Sequence, residues 1–476
     1  MKLSEIAKEL GVPVTGGDAE IRSVQYDSRK VTEGSLFCCM VGLVSDGHTF
    51  APQAVKNGAA ALLVERPLPL DVPQIVVKNA RSGMAHAAAC FYRHPEREMT
   101  LLGVTGTNGK TSTTYMLKAI AEAAGKKVGL IGTIQNLIGD EVLETGRTTP
   151  ESADLFALLR RMADEGVDVV VMEVSSHALV QERVSGLQFH VGAFTNLTQD
   201  HLDYHKTFDN YLEAKRKLFF QCDLGLVNAD DPYAARMAEN VPCPVLKMGL
   251  EQELDYSAHD IFVRPEGASF RLRTPEGEIP IRLHISGLFS VYNAMGAAAM
   301  MHLSGFSLEV IREGLEKLGG VAGRLEAVDT KGQPFSVYVD YAHTPDALEN
   351  VLKAVHAFSK GRVLSLFGCG GDRDRTKRPL MGEIGARNSD FVIVTSDNPR
   401  TEDPAAIVRA VEEGVRRTDT PYVAIVNRRE AIQYALSILK PDDILVIAGK
   451  GHENYQEIMG VKHHFDDRET VEELLS

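Results

Sequence analysis

The sequence predicts an α/β protein of three domains: a small α/β N-terminal domain, a central domain on a P-loop-type parallel sheet, and a Rossmann-like C-terminal domain. Three observations carry this. The chain has 476 residues, more than one hydrophobic core organises. Residues 99–325 and 326–476 each alternate apolar strands with helical patterns, the signature of βαβ units. Between an apolar run and a helical pattern lies the glycine-rich turn 103–114, laid out as a phosphate cradle.

In residues 1–98 strands are expected at 21–26, 35–41, 60–64 and 74–77, and helices at 51–58 and 84–92. The polar turn 94–98 closes the domain. In 99–325, strand 100–105 runs through the cradle into helix 111–124, followed by strand 128–131, helix 153–165 and strands 167–173 and 191–196. Residues 167–172 are apolar on both faces but for one acid, as a central parallel strand should be. In 326–476, strands are expected at 337–341, 362–367, 391–395, 422–426 and 444–448. Helices at 345–358, 381–387, 404–417 and 429–439 lie between them. No G-x-G-x-x-G turn follows the first of these strands, which argues against a dinucleotide there.

Bulk properties narrow the class. A net charge of -14 argues against a nucleic-acid partner. The six cysteines form no C-x-x-C pair and read as free thiols of a reducing compartment. The charged, amphipathic N-terminus has no apolar h-region, and no apolar run nears the ~18 residues that span a bilayer. The expectation is a cytoplasmic monomer that binds no membrane.

The cradle departs from the strict P-loop at one position: Val104 stands where a glycine is wanted, and the glycines fall at 103, 106 and 109. Backbone N–H groups, the helix N-terminus and Lys110 suit phosphate, and a hydroxyl can hold Mg²⁺. Glu173 ends a neighbouring strand, where a carboxylate can reach that metal. His201 and His205 are spaced i,i+4, but no third ligand at zinc spacing supports zinc. His201 suits a Mg²⁺ or phosphate neighbour better, and His205 a structural role. By its residues alone, Lys215 reads as a solvated lysine on an amphipathic helix. The sequence His452-Glu453 is not a zinc-protease motif, because Gln456 stands at the second histidine position. Loops 368–379 and 396–400 bring arginines to strand C-termini. Pro399 holds Asn398 extended, and Arg400 presents a fork suited to a carboxylate.

Taken together these stretches resemble the Mur ligase family of ATP-dependent amide-forming ligases. The resemblance rests on Gly106-Thr-Asn-Gly-Lys-Thr, Glu173-Val-Ser-Ser-His, Asp200-His-Leu-Asp-Tyr-His, Asn293 in Tyr-Asn-Ala, Gly323-Arg-Leu-Glu and Asp340-Tyr-Ala-His-Thr-Pro-Asp. Asp27-Ser28-Arg29, Arg147-Thr148-Thr149-Pro150, Gly371-Asp-Arg-Asp and Asp397-Asn398-Pro399-Arg400 resemble the members that add meso-2,6-diaminopimelate to UDP-MurNAc-L-Ala-D-Glu in peptidoglycan synthesis. Lysine-adding members and folylpolyglutamate synthase are the alternatives. The resemblance implies ATP on Gly106, Thr107, Asn108, Gly109, Lys110, Thr111 and Ser112, with Asn293, Arg324 and Asp340 also on the nucleotide. It implies Mg²⁺ near Thr111, Glu173, His201 and Lys215, the last carbamylated. Tyr26, Ser28, Leu43, Val44 and Ser45 would hold the UDP-sugar, and Arg147, Thr148, Thr149, Ser176, Gln181 and Arg183 its peptide arm. Arg373, Asp397, Asn398, Pro399, Arg400, Gly449 and Glu453 would hold the amino acid.

Overall fold

A computed structural model describes residues 1–42, 45–143, 146–264 and 266–476. Among these residues the strands form three large sheets and one hairpin. The N-terminal sheet has five strands in the order Val14–Thr15, Gln74–Val76, Ala59–Val64, Ser35–Cys38, Ser23–Gln25. All neighbours are parallel except the first pair. The expected helix 84–92 starts earlier, as Ala80–Phe91, because the Asn79 side chain accepts from the N–H groups of Arg81 and Ser82 and caps it. Helix Leu3–Glu9 was not anticipated; it buries Leu3, Ile6 and Ala7.

The central sheet has eleven strands. Its middle is parallel, running Tyr256–Arg264, Val245–Gly249, Cys222–Asn228, Phe189–Phe194, Thr100–Thr105, Val169–Glu173, Val128–Ile131. Both edges correct the expected all-parallel sheet. Tyr256–Arg264, Gly267–Thr274 and Gly277–Leu283 form an antiparallel meander, and Val128–Ile131, Asn136–Ile138 and Glu141–Leu143 form another. Strand 167–173 starts at Val169, and strand 191–196 runs Phe189–Phe194. One apolar layer joins the sheet to helices Lys110–Ala123, Leu288–Leu303 and Leu308–Lys317; a second joins it to Ser152–Asp164 and Phe208–Arg216. Helix Leu288–Leu303 is buried nearly all round, with Ala294 to Met301 inaccessible.

The third sheet runs Glu326–Ala327, Ser336–Asp340, Ile444–Ala448, Val363–Phe367, Phe391–Val394, Tyr422–Ala424, parallel except at the first pair. Its helices start where the sequence places caps. Thr344 accepts from the Ala347 N–H before Pro345, Asp403 from the Ala405 N–H before Pro404, and Asn427 from two N–H groups of helix Arg428–Ile438. The parallel strand order brings the C-terminal ends at Asp340, Phe367, Val394 and Ala448 to one edge, the usual place for a ligand in such sheets. The hairpin Tyr455–Ile458 with Val461–His464 and the helix Asp467–Leu474 follow; neither was anticipated.

Candidate active site

Strand Thr100–Thr105 delivers the glycine-rich turn directly into helix Lys110–Ala123. Gly106 has φ 150° and a Cβ there would lie 1.8 Å from Thr195 Oγ1; Gly109 has φ 86° and a Cβ there would meet Asn293 Oδ1 at 2.3 Å. Any side chain at either position would break the turn. The loop is fastened from the next strand end: the Asn108 N–H donates to Asn196 Oδ1 (2.9 Å), and the Thr195 hydroxyl donates to Asn108 O (2.6 Å).

The cradle opens into a cleft of about 600 Å³ between the central and C-terminal sheets. The structure brings together Gly106, Thr107, Asn108, Gly109, Lys110, Thr111, Ser112, Thr148, Glu173, Ser176, His201, Lys215, Asn293, Arg324 and Asp340 along its wall. Its lining also includes Met248, Leu288, Phe289, Val351 and Ala354, apolar side chains suited to a flat base. Lys110, Lys215 and Arg324 in the same lining suit phosphates.

Two ammonium groups converge on one oxygen. Lys110 Nζ donates to Gly106 O (2.9 Å) and Thr107 O (2.8 Å), and Lys215 Nζ donates to Gly106 O (2.6 Å). Lys215 is 1% exposed and lies 4.4 Å from the centre of the Tyr211 ring. Burial, and then the charge of Lys110, hold its pKa well below the ordinary lysine range. The solvated-lysine reading is therefore corrected: the apolar face of helix Phe208–Arg216 turns Lys215 inward.

Glu173 ends strand Val169–Glu173 and its carboxylate is held in place. Oε1 accepts from the Thr111 hydroxyl (3.0 Å) and the Thr133 N–H (2.9 Å), and Oε2 accepts from the Thr133 hydroxyl (3.0 Å). The Thr111 hydroxyl oxygen accepts in turn from Arg324 Nη2 at 2.9 Å. Hydroxyl and carboxylate side by side at a phosphate loop are a donor pair that fits a hard divalent cation. Among the described residues no cluster of three or more His, Cys, Asp and Glu is arranged around one point. A divalent ion here would therefore draw on Thr111, on Glu173 and on phosphate oxygens.

His201 sits at φ 54° with Nε2 3.3 Å from Asp200 Oδ2, and its ring lies 4.8 Å from that of His177. Desolvation in the cleft lowers its pKa despite Asp200. His205 Nε2 is 2.9 Å from Ser176 Oγ in the interior, the structural role expected of it. Asp340 receives the Leu325 and Ala342 N–H groups (2.6 and 2.7 Å), which fixes the chain entering the C-terminal sheet.

The remaining candidates fall in two other places. Tyr26 donates to Asp154 Oδ2 (2.5 Å), which joins the N-terminal and central sheets. Close by, Glu151 takes Arg147 Nη1 (2.8 Å), Arg183 Nε (3.0 Å) and Arg81 Nη1 (3.4 Å). Arg183 also donates to Thr149 O (3.0 Å) and Gln181 Oε1 (2.7 Å). Arg81, Arg147 and Arg183 thus gather on one carboxylate. Ser28 accepts from Asn57 through its backbone O (2.9 Å), and Ser45 is exposed; the calls on Leu43 and Val44 lie outside the described residues.

At the C-terminal sheet edge, Asn398 Nδ2 donates to Glu453 Oε2 (2.8 Å), and Arg400 Nη1 donates to Gly371 O (2.8 Å). Arg400 Nε lies 3.4 Å from Glu457 Oε2. A Cβ on Gly449 would come within 3.0 Å of Asp397 Oδ2, and one on Gly371 would strike Pro399 O. Arg373 is exposed and donates to Asp372 O (3.1 Å), and its Cγ and Arg400 Nη1 border the same space over Gly370, at 3.8 and 2.9 Å from a Cβ placed there.

Reading the sequence missed several residues that build the site. Thr133 orients Glu173. Asp346 reaches across to Asn108 Nδ2 (2.7 Å). Arg428, with no exposure, forks onto Asp467 (2.8 and 2.7 Å) and also donates to Ser396 O and Ala448 O, the starts of the two acceptor-side loops. The helix cap at Asn427 was a signal for the helix but not for an inward arginine.

Comparison with known proteins decides the family. Residues 20–96 match the Mur ligase family catalytic domain, 104–301 the Mur ligase middle domain, and 323–451 the Mur ligase glutamate ligase domain. The chain belongs to the Mur ligase family. It is an ATP-dependent acid–amino-acid ligase that uses Mg²⁺. It is 48% identical to the UDP-N-acetylmuramoyl-L-alanyl-D-glutamate–2,6-diaminopimelate ligase of Geobacillus thermodenitrificans, over 95% of this chain and 94% of that one. With the enzyme of that name from Clostridioides difficile it shares 46%, over all of both chains. A solved structure of a ligase of that name covers 96% of this chain, with 94% of its own length matched, at a TM-score of 0.69 and 34% identity. Folylpolyglutamate synthase of Mycobacterium tuberculosis, at 18% identity and a TM-score of 0.64, shares the fold over 77% of this Mur ligase and 92% of its own length. No helix among the described residues is long and apolar enough to cross a membrane.

Proposed function

We propose that this Mur ligase joins meso-2,6-diaminopimelate to the D-glutamyl side-chain carboxylate of UDP-MurNAc-L-Ala-D-Glu, with ATP as the phosphoryl donor. The observation that carries the reading is the acceptor-side cluster. Asp397, which is buried, and the half-buried Glu453 stand beside Arg400, whose Nη1 is anchored on Gly371 O and whose Nε lies 3.4 Å from Glu457 Oε2. Acids suit an ammonium and a guanidinium suits a carboxylate. Diaminopimelate offers both at its distal end; lysine lacks that carboxylate. The printed names of the relatives support the same substrates.

In this reading the N-terminal region around Tyr26, Ser28 and the 43–45 loop takes the UDP-sugar. Arg147, Thr148, Thr149, Ser176, Gln181 and Arg183 direct its peptide arm toward the cradle. Domain boundaries at 98/99 and 325/326 follow the three sheets. Lys110 and the cradle N–H groups bind the ATP phosphates and stabilise charge on the transferring phosphoryl group. Thr111 and Glu173 would hold Mg²⁺, which supplies further charge neutralisation when bound. His201 and Lys215, the latter if carbamylated, would border that ion. The γ-phosphoryl passes to the D-glutamyl carboxylate, and the uncharged acceptor amine attacks the acyl phosphate carbon. The amide forms, inorganic phosphate leaves, and the amine loses its proton. Closure of the C-terminal sheet over the cleft keeps water from the acyl phosphate.

Phosphate release tests this directly. It is expected only when ATP, the UDP-MurNAc-dipeptide and an amino acid are all present, with meso-diaminopimelate far better than L-lysine. Turnover without an acceptor would overturn the ligase chemistry, and equal use of lysine would overturn the acceptor assignment.

A further inference from the structure

The acceptor-side cluster contains a lysine that none of the contacts above explains. Lys450 follows strand Ile444–Ala448 and has no exposure. Its Nζ donates to Asn398 Oδ1 (3.1 Å) and to Tyr455 O (2.5 Å). It stands 3.4 Å from Asp397 Oδ1 and 3.8 Å from Glu453 Oε2. An ammonium has three N–H groups and no acceptor. Two of them are taken by neutral oxygens, and the third faces a pair of carboxylates.

This arrangement fixes its neighbours from behind. Asn398 Oδ1 also accepts from the Glu457 N–H (2.9 Å), so its amide oxygen is fully engaged. Its Nδ2 must then point forward, where it donates to Glu453. Glu453 is thereby oriented at second hand by Lys450. Charge does not close within the cluster: two acids share one ammonium. Asp397 Oδ1 is buried, and Lys450 Nζ reaches it only at 3.4 Å, beyond a good hydrogen bond. A buried carboxylate oxygen so loosely held keeps room for a closer donor. With two acids facing one ammonium, a cationic donor is the partner that balances the charge.

We propose that Lys450 is a positioning residue for the acceptor amino acid: its buried ammonium sets Asp397, Asn398 and Glu453 to receive one further ammonium, that of the acceptor. This rests on the acceptor assignment made above. A merely structural lysine would tie loop 449–453 to the hairpin Tyr455–Ile458 and do nothing else.

The test varies meso-diaminopimelate at saturating ATP and UDP-MurNAc-dipeptide and reads phosphate release, for the wild type, Lys450→Met and Lys450→Arg. Loss of a buried charge-assisted contact is expected to raise the KM for diaminopimelate about tenfold or more in Lys450→Met. The KM for ATP should stay within about twofold, a split that a general structural defect would not give. Lys450→Arg should recover part of the loss. An unchanged KM for diaminopimelate, or equal rises for diaminopimelate and ATP, would overturn the proposal. Should Lys450→Met fail to fold, the double variant Lys450→Met with Asp397→Asn removes one charge of each sign. It is expected to fold and to show a higher KM than Asp397→Asn alone; the same KM as that single variant would overturn the proposal. If the wild type uses L-lysine rather than diaminopimelate, the acceptor assignment fails by itself. The same comparison run with L-lysine then decides the role of Lys450.

Discussion

Replacing Arg428 by Met should destabilise the C-terminal sheet more than any other single change outside its apolar core. The side chains of Arg428 and Asp467 have no exposure and pair through two hydrogen bonds of 2.8 and 2.7 Å. Breaking such a buried pair from one side costs about 3–5 kcal/mol, because a charge is left uncompensated. Asp467 lies in the first turn of helix Asp467–Leu474, whose free N–H groups offset part of a stranded negative charge. That places Arg428→Met in the lower half, about 3–4 kcal/mol. At about 2–4 °C per kcal/mol for a unit of this size, the midpoint of the transition that melts this sheet should fall by about 6–16 °C. Asp467→Leu leaves a buried guanidinium bonded, among the described residues, to the neutral Ser396 O and Ala448 O, with the charges of Asp397 and Glu453 farther off, so it should cost more. The double variant Arg428→Met with Asp467→Leu should melt closer to the wild type than either single variant, since an apolar pair needs no desolvation of charge. Differential scanning calorimetry reads all four proteins. A shift below about 2 °C for Arg428→Met, or the reverse order of the two single variants, would refute the argument.

Arg400→Ala removes a charge-assisted carboxylate contact of about 1.5–3 kcal/mol, so the KM for diaminopimelate should rise about 10- to 100-fold with the KM for ATP unchanged. Equal losses for both would count against a carboxylate-reading role. Burial, and then the charge of Lys110, lower the pKa of Lys215 well below the ordinary lysine range. A neutral amine is the form that takes up CO₂, so Lys215→Ala should lose activity and regain part of it with added formate or acetate; an active variant indifferent to them rejects a carbamate there. Glu402 accepts from Arg378 at 2.8 and 3.1 Å, and its pKa falls from 4.5 to about 2 in the folded protein, through that side-chain bond first. A depressed carboxylate pKa stabilises the fold above the unfolded value and loses that effect as pH falls through the folded one. The gap in thermal midpoint between the wild type and Glu402→Gln should therefore be full above about pH 5 and vanish toward about pH 2. A gap that widens on acidification would contradict this.

The legible parts of the site are those in which one short stretch contains its own physical reason. Gly106 and Gly109 announce a turn no side chain could enter, and the strand before it and the helix after it were plain in the apolar pattern. Glu173 was legible because an acid ending an apolar parallel strand has few other uses. Lys215 and Lys450 were not, because a lysine's burial depends on which face of its element meets the core. Arg428 and Asp467 stand 39 residues apart, and nothing local pairs them. The meander Tyr256–Leu283 went unread although its alternation is written out: Phe270 and Leu272 point in while Arg271 and Arg273 point out. Alternation names a face, but only the partner strands fix the register that makes it a sheet.

The central and C-terminal sheets share atoms that nucleotide loading must also use. Asn108, inside the cradle, gives its Nδ2 to Asp346 at the start of helix Pro345–His356. Arg324, just before the C-terminal sheet, gives its Nη2 to the Thr111 hydroxyl, the same hydroxyl that donates to Glu173. Thr111 and Glu173 would hold a divalent cation, which would supply charge neutralisation there. Arg324, bonded to that same hydroxyl, lines the cleft in which phosphate oxygens would lie. The phosphate cradle and the C-terminal sheet are thus joined through two side chains, Asn108 and Arg324. A ligand that engages either of them in the cleft also bears on a contact that positions the other sheet.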